Sequence, residues 1–372
     1  MMANAQVFFT RANSVSTDPR VERAMRCIHS AGYRCMALGW ARERAEMDAP
    51  KPDGLDVRRF YFPGRFGGGA ANVAGLLAFN VWLLYMHVKG RPRVIHAVDL
   101  DTVLPALVAR LLLKNRVVYD VADWYADSRK LGPFRGLVHR LERWVCRRAD
   151  LVVLAHEERL RQVGPGLRSW VVVYNTPEDL GPPDSGRVES REAYFAYVGV
   201  LQPDRGIPQI IAAASTAEAR VVIAGFGPLA EFCRRRAGDA AGVDFRGRVS
   251  HGEALALQRD ALAVLALYDP GVWNNRLAAP NKLFEAMMLG RPVITSLGTL
   301  AGEIVAREGI GLAVPYGDVH RLAEAMDFLA SHPAERRRMG ERARALYEKR
   351  YSFAEQCRRL REAYLRVVRY FE

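Results

Sequence analysis

Pro280 to Ser296 reads PNKLFEAMMLGRPVITS, and the rest of the chain is understood outward from this stretch. Leu283, Phe284 and Met287 recur at helical spacing and make one apolar stripe. Pro280 suits the first helical position, where a missing N–H costs nothing. Gly290 suits the end of the helix, and Pro292 just beyond it blocks continuation. Val293-Ile294-Thr295 then reads as a short buried strand. Lys282 and Glu285 lie three residues apart and share one face near the helix start. That start offers free backbone N–H groups and the positive end of the helix dipole, a seat for a phosphate. Lys282 adds a full positive charge there, and Glu285 can accept hydrogen bonds from the vicinal hydroxyls of a ribose. The arrangement suits a nucleotide diphosphate. The competing reading is an ordinary helix–strand unit with a solvated Lys–Glu pair.

The chain has 372 residues, enough for two domains of ordinary size. Half of the residues are hydrophobic and 26% are charged, the balance of a globular protein. The formal net charge is +13, which favours an anionic partner such as nucleic acid, anionic lipid headgroups or a phosphorylated substrate. Cys27, Cys35, Cys146, Cys233 and Cys357 are scattered without a CxxC or metal spacing, and they read as reduced thiols of a cytosolic protein. Met1-Met2-Ala3-Asn4 leads into a strand, so no secretory leader is expected. Ala70 to Val88 carries no Lys, Arg, Asp or Glu. A buried or half-buried domain helix is the first expectation for it, a helix lying on a bilayer surface the second, and a span the last.

Strand and helix patterns alternate on both sides of a break at residues 175–192, NTPEDLGPPDSGRVESRE, which is rich in Pro, Gly and charge. Strands are expected at Ala5–Thr10, Tyr33–Gly39, Val57–Phe62, Arg93–Val98, Val117–Val121, Leu151–Ala155 and Trp170–Tyr174 before the break. After it they fall at Ala193–Val200, Arg220–Ala224, Val243–Arg246, Ala263–Tyr268 and Leu312–Val314, beside the Pro280 unit. Two α/β halves of this kind imply two doubly wound domains with mostly parallel sheets, facing each other across a cleft. Long helices close the chain, the last over Phe353–Tyr370.

PNKLFEAMMLGRPVITS resembles the donor-site helix of the large family of retaining, GT-B-fold glycosyltransferases of the group 1, or family 4, type. Its members show a Glu before an Ala-Met pair or similar, then Gly-x-Pro-Val. The resemblance implies an α/β GT-B fold with two Rossmann-like domains and a C-terminal helix crossing back to the first. The expected division is an acceptor-binding domain at 1–180, a linker at 181–192, a donor-binding domain at 193–350 and the returning helix at 351–372. Tyr197-Val-Gly-Val-Leu-Gln-Pro-Asp-Arg-Gly-Ile opens the second domain; ligands bind at such carboxyl strand ends, and Arg205 can hold a diphosphate bidentately. The family carries a basic residue at this place, and Val200 stands where it often has a second, leaving Arg205 and Lys282 as the clamp. Gly199, Gly225, Gly227, Gly247 and Val249 are carried over as nucleotide contacts with Glu285.

Two departures concern the sugar. Leu277 stands where many members have an acidic residue, and Ala122 where several have a His. Asn274, Asn275 and Asn281 are polar candidates near the sugar. Asp120 and Asp123 are candidate acceptor contacts, with helix capping as their alternative. Ser14, Ser16 and Thr17 line the first strand–helix loop, and Arg11 and Arg20 read as solvated arginines or acceptor contacts. Asp99-Leu100-Asp101 spells DxD, but Asp101 reads as a helix cap, so no metal and no cofactor are expected beyond the nucleotide-sugar co-substrate. Phe134–Arg148 is a basic amphipathic helix with Leu137, Leu141, Trp144 and Val145 as its stripe. It suits an anionic membrane surface or a solvated domain face. The function implied is transfer of a sugar from a nucleotide-diphosphate donor to a lipid-linked or growing glycan acceptor. It would take place in the cytoplasm or on the inner face of the membrane, without nucleic acid. A nucleotide-sugar epimerase and a non-catalytic basic binding protein are the alternatives.

Overall fold

A computed structural model of the chain describes residues 6–16, 18–51, 54–65, 69–129, 131–181, 193–239 and 242–368. Thr17, most of the Pro/Gly-rich break and the ends of the first strand and last helix therefore lie outside the described residues. The chain divides into two compact units. One comprises Met1–Tyr174 with Ala354–Glu372, and the other Asn175–Phe353.

The strands of the first unit are β1 (Val7–Arg11), β2 (Cys35–Ala41), β3 (Asp56–Tyr61), β4 (Val94–Val98), β5 (Arg116–Val121), β6 (Leu151–Leu154) and β7 (Trp170–Val172). Its helices are α1 (Pro19–His29), α2 (Val73–Gly90), α3 (Leu100–Leu113), α4 (Tyr125–Ser128), α5 (Arg135–Arg148) and α6 (Arg159–Val163). The sheet runs β3-β2-β1-β4-β5-β6-β7, parallel at every described pairing. Its central strands are buried and mostly apolar because helices cover both faces, with Thr10, His96 and Asp120 as buried polar exceptions. Asp18 caps α1 by accepting from the amides of Arg20 and Val21, and Pro19 fills the first turn.

The second unit contains β8 (Tyr194–Val200), α7 (Ile207–Thr216), β9 (Arg220–Phe226), α8 (Ala230–Asp239), β10 (Val243–Gly247), α9 (His251–Arg259) and β11 (Val264–Ala266). It continues with α10 (Trp273–Arg276), α11 (Asn281–Met288), β12 (Val293–Ser296), α12 (Leu300–Glu308), β13 (Gly311–Val314), α13 (Val319–Ser331) and α14 (Pro333–Leu346). Its sheet runs β10-β9-β8-β11-β12-β13, again parallel. Each sheet is Rossmann-like: the first strand lies inside, and the order reverses beside it, at β1/β4 and at β8/β11. The short segment ahead of β8 packs with the second unit. Asn175 donates to Asn281 at 2.8 Å, and Tyr347 Oη donates to the Pro177 carbonyl at 2.7 Å. Asp179 receives Arg344 at 2.6 Å. The first residues of the Pro/Gly-rich break are thus held by the second unit.

The last helix, α15 (Phe353–Val368), returns to the first unit. Tyr364 on α15 donates to His96 Nδ1 on β4 at 2.5 Å, and His96 Nε2 donates to Asp120 Oδ2 on β5 at 3.2 Å. Arg20 Nε reaches both oxygens of Asp120 at 2.9 and 3.0 Å. All four side chains are buried. Asp120 is therefore an internal anion and not an acceptor contact, and Arg20 is not solvated. Arg11 likewise pairs with Asp18 and Asp99.

Three further expectations are corrected. Cys27 on α1 is disulfide-bonded to Cys357 on α15, while Cys35, Cys146 and Cys233 are buried free thiols. A separation of 330 residues hid the pairing, which exists only because α15 docks beside α1. Asp101 lies inside α3, whose cap position is Asp99. On α5 the inward positions are Glu142, Val145 and Cys146, so Leu137 and Trp144 of the expected stripe face outward. Glu142 draws the helix round by accepting from Tyr119 Oη and the amides of Tyr125 and Ala126.

Burial opposes the charge on Asp120, but Arg20 and then His96 outweigh it, and its pKa falls from 3.8 to about 2. A lowered carboxylate pKa stabilises the fold above the unfolded value, near 4. That stability drains as pH falls towards about 2. Asp120→Asn strands Arg20 in the interior and should cost about 3–5 kcal/mol, read by urea unfolding at pH 7. The deficit relative to wild type should shrink as unfolding is repeated at lower pH through that window.

Candidate functional site

The carboxyl ends of β8 and β9, the segment after β11 and the start of α11 come together beside the reversal point of the second sheet, and β10 ends at its edge. Gly199 and Gly225 are direct partners across β8 and β9. Their φ values, 148° and 149°, lie where side chains are rarely tolerated. A Cβ on Gly225 would stand 1.8 Å from the Gly199 carbonyl oxygen, and one on Gly199 would stand 2.7 Å from Lys282 Nζ. Gly227 is packed against the Leu201 backbone in the same way. These glycines are required by close backbone approach. Gly247 ends β10 in open space at a φ of 65°, and Val249 follows half-buried.

Lys282 and Glu285 are not a solvated pair, since each is only 9% exposed and each has its own partners. Lys282 Nζ lies 4.5 Å from the centre of the Tyr197 ring, 5.5 Å from that of Tyr268 and 3.5 Å from Tyr268 Oη. Burial opposes its charge, but Tyr197 and Tyr268 favour it, and its pKa ends above the ordinary lysine value. Lys282 is a permanent cation at neutral pH. Glu285 accepts from Gln258 Nε2 at 2.9 Å. Pro280 holds the cap position of α11 and not its first turn, and no side chain caps the helix. The Leu283 amide donates to the Pro280 carbonyl at 3.0 Å, and the amides of Asn281 and Lys282 remain available to an anion.

Arg205 follows β8 on a short turn and lays its guanidinium over the other part of the same aromatic cluster, 4.4 Å from the Tyr268 ring centre. Asp204 and Asn275 hold it at 2.8 and 2.9 Å. Asn275 also donates to Asp204 at 2.9 Å and to the Asp269 carbonyl at 3.1 Å, and it is buried. Asn275 positions the arginine instead of facing a sugar. Asn281 is engaged by Asn175, and Asn274 is half-buried beside exposed Trp273. Asp123 is in the first unit, half exposed, with Arg159 at 3.4 Å. Ala122 donates its amide to Asp99 at 3.1 Å, and Leu277 ends α10.

Sequence reasoning missed Tyr268 and Tyr197, the rings on which the cations rest. Tyr197 lies in the middle of β8 and Tyr268 just after β11, and a tyrosine in or beside a buried strand reads as core. Among the described residues no group of His, Cys, Asp and Glu is arranged to hold a metal ion.

Residues 183–346 match the model of glycosyl transferases group 1, and residues 17–176 match that of a glycosyl transferase 4-like domain. The two matches take in most of the chain, and the protein belongs to the group 1, family 4 type of glycosyltransferase with the GT-B fold. D-rhamnosyltransferase WbpZ of Pseudomonas aeruginosa is 32% identical over 197 residues, 50% of each chain. The glycogen synthase of Mycobacterium tuberculosis is 28% identical over 273 residues, 68% of this chain and 64% of that one. The chain thus aligns with half to under two thirds of the length of these relatives. HepE of Anabaena, solved in complex with UDP, shares the fold with a TM-score of 0.74 at 14% identity, covering 96% of this chain and 98% of that one.

Gly225→Ala drives a methyl into the Gly199 carbonyl and should lower stability by about 1–3 kcal/mol, measured by thermal or chemical unfolding. Gly247→Ala, at a position with open space, should cost less.

Proposed function

We propose that the chain transfers a sugar from a nucleotide-diphosphate donor to a lipid-linked or growing glycan acceptor, retaining the anomeric configuration and using no metal or other cofactor. The observation that carries this reading is the convergence of Arg205 and Lys282 on Tyr268, beside an uncapped helix start and close-packed glycines. Such a site favours a pyrophosphate. HepE has been solved with UDP, with UDP and glucose, and with UDP-glucose, which supports a nucleotide-sugar donor here by likeness of fold. Glu285 lies one turn deeper than Lys282, where a ribose would follow the phosphates.

In the reaction the bond between the sugar C1 and the diphosphate oxygen breaks, and the acceptor oxygen bonds to C1 on the same face. The electron pair of the broken bond stays on the phosphate. Lys282, Arg205 and the α11 amides stabilise that developing charge, and their fixed placement avoids reorganisation. A phosphate oxygen takes the acceptor proton. We place the reaction at the inner surface of the cytoplasmic membrane, where a lipid-linked acceptor would be met.

Lys282→Met keeps the apolar stem against the tyrosines and should lower kcat about 100- to 1000-fold with little change in melting temperature. Asn275→Ala frees Arg205 and should lower it less. The assay pairs a panel of nucleotide sugars, first ranked by thermal stabilisation, with a glycan acceptor. Undiminished transfer by Lys282→Met would sink the proposed clamp, and donor consumption without an acceptor-bound product would favour epimerisation.

A further inference from the structure

The helices α2, α3 and α5 form one layer. α2 packs along α3, and α3 packs against α5. Right-handed crossovers from β3 to β4, β4 to β5 and β5 to β6 place them on the same face of the first sheet, while α1 takes the opposite face. The inner side of α2 is buried through Phe79, Leu83 and Met86, so this helix is a component of the unit.

The outer side of the layer is unlike a solvated one. From Val73 to Val88 every exposed residue of α2 is apolar, including Leu77, Val81 and Tyr85. On α3 the exposed helix positions are Leu104, Val108, Leu111 and Leu112. Val81 is 71% exposed and Leu111 is 81% exposed. The one acidic residue in these two helices, Asp101, is mostly buried. Both helices run against the strands, so their C-terminal ends lie together, and there Lys89, Arg91 and Lys114 are exposed. On the neighbouring α5, Arg140, Arg143, Arg147 and Arg148 are exposed, and Arg148 lies 5.4 Å over the Trp144 ring.

A contiguous apolar surface bordered by cations marks a binding face. Its charge selects the occupant. A second copy would bring two cationic borders to one interface, with no exposed carboxylate on α2 or α3 to offset them. An anionic bilayer offers phosphates to the cations and an acyl boundary to the aliphatic side chains. We propose that this layer is a membrane-docking surface. Leu77, Val81, Leu111 and Leu112 enter the interfacial region, and Lys89, Arg91, Lys114 and the α5 arginines meet lipid phosphates. The inference goes beyond the donor site and does not depend on it.

The test is co-sedimentation of the full chain with phosphatidylcholine vesicles, with and without phosphatidylglycerol. Binding should require phosphatidylglycerol and weaken with salt. The variant Leu77→Ser/Leu111→Ser alters only exposed positions and should lose most binding. Arg140→Gln/Arg147→Gln should weaken it about five-fold per arginine, the effect of one basic residue at an anionic surface. Thermal stabilisation by nucleotide sugars, measured on the same variants, should be unchanged, which separates a failure of docking from a failure of the donor site. The proposal is overturned if wild type ignores phosphatidylglycerol vesicles, or if the leucine variant binds as wild type does. It is also overturned if light scattering shows a wild-type dimer that the leucine variant converts to monomer.

Discussion

Two cations share the surroundings of one tyrosine ring. Lys282 and Arg205 carry like charge, and bringing them together costs energy that something nearby must offset. Tyr268 does part of this by offering its ring to both, and Tyr197 offers a second ring to Lys282. Asp204 supplies the only carboxylate hydrogen-bonded to Arg205 among the described residues, and Asn275 fixes both members of that pair. The result is a positive site neutralised only in part. The glycines of β8 and β9 belong to the same constraint, since Lys282 Nζ occupies the space where a side chain at Gly199 would begin.

The two sheets have the same reversal of strand order and use it differently. In the second unit the reversal point is open backbone, uncapped amides and cations. In the first, the corresponding ends of β1 and β4 are closed by the chain itself. Arg11 sits between Asp18 and Asp99, and Asp99 accepts from the amides of Ala122 and Asp123. An internal carboxylate there takes the place that a ligand anion would take in the other unit. One topology thus gives a ligand site or a filled one, depending on whether the chain provides its own counter-charge.

Much of this was legible in the sequence for physical reasons. Alternation of apolar runs with helical periodicity marks the strands and helices, because parallel strands covered on both faces are mostly apolar. Lys282 and Glu285 share one helix face and Arg205 follows a strand end, which makes them candidates by position, while the resemblance to the family decided for them over a solvated pair and supplied the glycines. What stayed hidden depends on residues distant in sequence. Asp120 reads as a strand-end aspartate until Arg20, His96 and Tyr364 are placed around it. Asn275 reads as a polar candidate near the sugar until Arg205 is placed beside it. The outer face of α3 is not marked in the sequence, because its apolar residues are too many for one face and nothing local says which of them are covered. The α5 stripe was misplaced because Glu142, a charged residue, is drawn inward by a tyrosine and two amides.

The return of α15 makes the first unit discontinuous in the chain, with the whole second unit inserted between its parts. During synthesis the second unit has all its strands once Val314 has emerged, and its closing helices follow at once. The first unit, although begun earlier, waits for the final helix. Until Tyr364 leaves the ribosome, His96 has no hydroxyl donor and the buried cluster around Asp120 stays incomplete. The half of the protein made first is therefore the half finished last.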